Sequence, residues 1–202
     1  MIVCFKNEYM NDIVCKVVNH GGVISTADIS HLSDYKQLLR AKERGDLVKI
    51  RHGVYATPEA LMNTMIDVER IVPNGVVCLY NAWAYYQLST TVPPGVCIAI
   101  ANKRKVVLPT ALPIELYYWK KENLDFGVVE AEISGYKVRI TDMERSVCDA
   151  VKYRNKLGMD ICAEVINSYL KKTNRNLTRL QEYAKQLRVF NTLKNYLEIA
   201  IE

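Results

Sequence analysis

Apolar residues near the start of the chain recur at helical intervals. Met10, Ile13, Val14, Val17 and Val18 fall at i, i+3, i+4, i+7 and i+8, and His20-Gly21-Gly22 ends the run. The spacing predicts a helix over about residues 8–20 with one apolar face. Ser25-Thr26-Ala27-Asp28 supplies a capping hydroxyl with a carboxylate three residues on, and predicts a short helix ending near Leu32. Ser33 then caps a third helix running to Gly45. Tyr35, Leu38 and Leu39 form its apolar back, whereas Ser33, Lys36, Gln37, Arg40 and Arg44 share the opposite side. Residues 46–56 read as two short β-branched strands joined by a turn at Arg51-His52-Gly53.

Three helices followed by a β-hairpin is the order of a winged helix-turn-helix. In that arrangement a third helix enters the major groove and the hairpin leans on neighbouring phosphates. Lys36, Gln37 and Arg40 are placed to reach base edges, and Lys49, Arg51 and His52 decorate the wing. The same stretch also fits a plain solvated helix and hairpin, and winged helices also serve as protein–protein modules.

Beyond residue 57 the pattern changes. Thr57-Pro58 opens a helix carrying Leu61, Met65, Val68 and Ile71 to Val72, and Pro73-Asn74-Gly75 breaks it. Val76 to Leu79 is strand-like, residues 81–88 form a buried short helix, and strands follow at 95–101, 112–118, 128–133 and 136–140. Thr141-Asp142-Met143-Glu144 matches a capping box and opens a helix through Arg154. Three further apolar stripes make the tail helical, the second capped by Thr178 with Gln181. The fold class expected is α+β: an N-terminal winged helix-turn-helix over residues 1–57, then an α+β C-terminal domain over 58–202 with a helical end.

Charge sharpens this picture. The chain has 202 residues and a net charge of +5, unevenly spread: +2 over residues 1–57, −2 over 58–151 and +7 over 152–194. Two basic regions flanking a near-neutral middle are either solvated faces or polyanion-binding surfaces, depending on the elements that carry them. No apolar run approaches the roughly 18 residues of a membrane span, and the opening is charged too early for a signal peptide, so a cytoplasmic protein is expected.

Enzyme chemistry finds little support. The six cysteines, at 4, 15, 78, 97, 148 and 162, show no metal-ligand spacing, and reduced, mostly buried thiols are expected. Phosphate-binding, dinucleotide-binding, zinc-protease and nucleophile-elbow motifs are missing, and no cofactor is expected. Asp125-Phe126-Gly127 spells a kinase triplet without the catalytic loop that kinase chemistry requires. Glu130 and Glu132 share one strand face and read as solvated carboxylates rather than an acid/base pair. Tyr85, Tyr86, Tyr117, Tyr118 and Trp119 read as packing aromatics more readily than as a base-stacking platform.

Three blocks carry a resemblance: residues 22–28 (GVISTAD), residues 38–56 (LLRAKERGDLVKIRHGVYA) and residues 140–150 (ITDMERSVCDA). Together they resemble the AbiEi antitoxins of abortive-infection toxin–antitoxin systems, over essentially the whole chain. The resemblance implies an autorepressor that binds inverted repeats in double-stranded promoter DNA and counteracts a toxin resembling nucleotidyltransferases. It implies DNA contact by Ser33, Lys36, Gln37, Arg40, Arg44, Lys49, Arg51 and His52. It further implies antitoxicity on the basic C-terminal surface, with Arg145, Lys152 and Arg154 as candidates. Asp34 sets a negative charge at the start of the reading helix, and Asp149 beside Arg145 reads as a helix-surface ion pair. The competing reading is a nucleic-acid-binding accessory or nuclease-like enzyme of a phage-defence locus.

Overall fold

The computed structural model describes residues 12–62, 68–93, 95–106, 108, 113–133 and 135–201. The chain divides into two compact units, residues 1–73 with 105–113, and residues 74–104 with 114–202. Residues 58–73 therefore group with the winged helix rather than with the sheet that follows.

In the first unit, α1 (Asp12–Asn19), β1 (Val23–Ser25), a single 3-10 turn (Thr26–Asp28), α2 (Leu32–Arg44), β2 (Val48–Arg51) and β3 (Val54–Ala56) follow one another. The expected start of α1, residues 8–11, lies outside the described residues. Where the pattern predicts a short second helix, Val23 and Ile24 extend into a strand that pairs antiparallel with β3, and only one 3-10 turn remains. Ser25 does cap that turn, in a capping box with Asp28. The small sheet has the order β1-β3-β2. Its core joins Ile13, Val14 and Val17 of α1 to Leu38 and Ala41 of α2, with Ile24, Leu47 and Tyr55 beneath.

Short helices α3 (Pro58–Met62) and α4 (Val68–Ile71) follow in this unit, Thr57 capping α3 through Ala60 N–H at 3.2 Å. The expected single helix over 58–72 includes residues 63–67, which lie outside the described residues.

The second unit holds β4 (Val76–Val77), α5 (Tyr80–Tyr85), β5 (Val96–Ala101), β6 (Ile114–Trp119), β7 (Val128–Ile133) and β8 (Tyr136–Thr141). The helices α6 (Met143–Leu157), α7 (Met159–Leu170), α8 (Leu177–Gln186) and α9 (Phe190–Ile201) follow. The five strands form one mixed sheet in the order β6-β5-β4-β8-β7. Its β5 is an unbroken apolar run buried on both faces, whereas edge strand β7 has no fully buried residue and leaves Val129, Glu130 and Glu132 exposed. Val76, Cys97, Ala99, Tyr117 and Trp119 meet Trp83, Val147, Val151, Val165 and Ile166 in the main core. No described helix is long and apolar enough to cross a membrane.

Candidate nucleic-acid interface

The geometry of α2 follows from how few of its residues the core takes. Leu38 and Ala41 are fully buried, Leu39 is half-buried, and Tyr35, expected on the apolar back, is 38% exposed. A narrow seam fixes the helix and leaves most of its circumference outward. His31, not Ser33, occupies the N-cap, with no side-chain bond. Gly45 closes the helix at φ 86°, a left-handed conformation that a side chain would disfavour.

Ser33, Lys36, Arg40 and Arg44 are exposed and Gln37 is half-buried at the margin of that outward face. Ser33 Oγ lies 3.4 Å from Asp34 Oδ1, and Arg44 Nε donates to Asp46 Oδ2 at 2.9 Å. The Asp34 carboxylate turns away from the cationic face: Lys16 Nζ on α1 donates to it at 3.1 Å. Its charge thus remains at the positive end of the helix dipole while a lysine offsets it. Two residues missed by the sequence pattern share the outward face. Leu32, the first helical residue, is 71% exposed, and Glu43 is exposed near the opposite end. Leu32, Lys36 and Arg40 are spaced i, i+4 and i+8, a signal hidden by assigning Leu32 to the preceding helix.

The wing is a tight hairpin. Val48 pairs with Ala56, Lys49 with Tyr55 and Arg51 with Val54, with an irregularity between Lys49 and Arg51. His52-Gly53 makes the turn, and Gly53 adopts φ 75°. The Gly53 carbonyl oxygen also accepts from the Thr26 N–H at 2.7 Å, and a Cβ at this position would stand 2.8 Å from Thr26 Oγ1. The turn is thereby tied to the 3-10 turn that precedes α2, fixing wing and helix in one unit. Lys49 and His52 are exposed; the description of Arg51 covers its backbone and not its side chain.

The C-terminal candidates behave differently. Arg145 is fully buried, which corrects its assignment to a surface. Its Nε donates to both Asp149 oxygens at 3.1 Å, and Nη1 donates to the carbonyls of Phe126 at 2.9 Å and Asn123 at 3.3 Å. The guanidinium lies 4.6 Å from the Trp119 ring centre and 5.2 Å from that of Phe126. The pair expected on the helix surface is therefore a buried one. Burial pushes the Asp149 carboxyl upward and Arg145 pulls against it. Of Asp125-Phe126-Gly127, Phe126 serves this node through its carbonyl and its ring, while Asp125 pairs instead with Arg139 at 2.6 Å.

Neighbouring groups are equally committed. Asp142, rather than Thr141, caps α6 by accepting from the Arg145 N–H at 2.8 Å, and it also accepts from Tyr183 Oη at 3.0 Å. Glu144 does not reach back to complete the expected capping box; it accepts from Tyr169 Oη at 3.2 Å and the Asn176 N–H at 3.0 Å. Asn176, not Thr178, caps α8. Lys152 is exposed over the residue as a whole, yet desolvation of its ammonium lowers its pKa against the pull of Asp149, and Arg154 is half-buried with Nη1 donating to the Val151 carbonyl at 2.8 Å. Lys171, Arg175 and Arg179 are exposed around the α7–α8 connection. Among the described residues no group of three or more His, Cys, Asp or Glu side chains is placed to hold a metal ion.

A helix with an outward cationic face, tied to a hairpin, makes the first unit a winged helix-turn-helix. Residues 16–58 match the family model described as "Transcriptional regulator, AbiEi antitoxin". The match supports an antitoxin or DNA-binding regulator. Among solved structures, the chain is similar to the crystal structure of the RV2827C protein from Mycobacterium tuberculosis, at 10% identity and a TM-score of 0.58. That likeness covers 86% of this chain and 70% of the other, and it concerns the fold. No curated protein matches by sequence.

Proposed function

We propose that the protein is an autorepressing antitoxin whose α2 enters the major groove of promoter DNA while the wing rests on flanking phosphates. The observation that carries this reading is the outward line of Lys36 and Arg40 beside a hairpin anchored to the same unit. Base reading falls to Lys36, Gln37 and Arg40, with Ser33 and Arg44 at the margins; Lys49, Arg51 and His52 meet the backbone. Glu43, at the C-terminal end of the same face, repels phosphate and favours entry by the leading turns. Inverted repeats suit two protomers side by side, each supplying one helix.

The second unit is proposed to counteract a nucleotidyltransferase-like toxin through exposed cations of its helical end, Lys152 and Arg154 together with Lys171, Arg175 and Arg179. Support comes from the concentration of positive charge in residues 152–194 and from the family match of the preceding unit. Both roles are testable in one cell. A reporter driven by the DNA upstream of the gene should be repressed by the full chain and released by Arg40→Ala. Charge reversal at Lys171 and Arg175 should abolish rescue from the co-expressed toxin while repression persists. Unchanged repression by Arg40→Ala would remove the first role, and unchanged rescue would remove the second from this surface.

A further inference from the structure

We infer that Leu32 reads the 5-methyl group of a thymine in the major groove, giving the recognition helix an apolar contact ahead of its cations. The inference rests on the DNA-binding reading above and deepens it. A single exposed leucine is ordinary on a protein surface; its position singles this one out. It is the first residue of α2, 71% exposed, in line with Lys36 and Arg40 one and two turns on, with the exposed Tyr35 at i+3 on its other flank. Leading-turn residues of a recognition helix are the ones that approach base edges. In the major groove the only apolar group presented there is the thymine methyl, so a leucine at that point distinguishes thymine from cytosine and from uracil. Among the described residues, the core beneath α2 takes Leu38 and Ala41 from this helix and does not include Leu32.

The probe is a randomised duplex library, from which the full-length protein selects a preferred sequence. Each thymine of that duplex is then replaced by deoxyuridine, which removes one methyl and leaves every hydrogen bond in place. The wild-type protein should lose about fourfold in affinity at one thymine position, the worth of one buried methyl at ~0.8 kcal/mol. Leu32→Ala should bind both forms equally, while retaining its melting temperature and its affinity for random duplex. Wild-type protein indifferent to every uridine replacement would overturn the inference and leave DNA reading intact. So would a Leu32→Ala protein that still discriminates the methyl. Failure to select any sequence would instead overturn DNA reading by α2, and this inference with it.

Discussion

Helices α2 and α6 carry similar numbers of charged residues and put them to opposite use. In α2 a seam of two fully buried residues holds the helix, and Lys36, Arg40 and Glu43 stand in solvent. In α6 every residue from Met143 to Val151 is buried, including Glu144, Arg145 and Asp149. The difference lies in what covers the helix. One side of α2 meets the small core, whereas α6 is wrapped by α7, α8 and the 119–127 segment, whose rings and carbonyls take the charges in. A charged residue on a helix is thus free to meet a partner only where no other element claims it first.

The largest expected effect comes from breaking the buried side of this contrast. Asp149→Ala leaves the Arg145 guanidinium unpaired in the core and should cost about 3–5 kcal/mol in denaturant unfolding. Removing an outward cation such as Lys36 should stay within roughly 0.5 kcal/mol. Gly53→Ala comes next: a side chain at φ 75° facing Thr26 should cost about 1–2 kcal/mol and loosen the wing, seen as faster exchange of the Thr26 amide. Lys49→Ala should weaken specific and random duplexes alike and make the salt dependence shallower by about one unit of slope, read by anisotropy titrations across salt.

The smallest effect concerns a carboxylate that is neither free nor sunk. Glu164 on α7 accepts from the Thr90 N–H at 2.7 Å, from Thr90 Oγ1 at 2.8 Å and from Ser89 Oγ at 2.9 Å. Those donors hold its pKa below the ordinary carboxylate value, the Thr90 amide most of all. A depressed folded-state pKa stabilises above the ordinary carboxylate range, and the contribution is lost as pH falls through the depressed value. Thr90 amide exchange should therefore rise on acidification, measured at matched intrinsic rates, and Glu164→Gln should remove that pH dependence.

Much of the winged helix was legible because its logic is local. Capping of the 3-10 turn by Ser25, the seam at Leu38 and the turn at His52-Gly53 all follow from neighbours within a few residues. β1 was missed because its reason for being extended is β3, some thirty residues later. The fate of Arg145 was illegible for the same reason. Arg and Asp at i and i+4 look identical whether solvent or Trp119 and Phe126 lie above them, and only the fold brings those rings over. Leu32 was overlooked through a boundary: read as the end of one helix, it could not be seen to lead the next.

The most direct test of the outward cationic face compares wild type with Arg40→Ala on a selected duplex and on a scrambled one, by fluorescence anisotropy at fixed salt. Base reading predicts a loss of about 1–3 kcal/mol on the selected duplex and a much smaller loss on the scrambled one. Equal losses on the two would show that Arg40 contributes charge without reading sequence, and would contradict the placement of α2 in the groove.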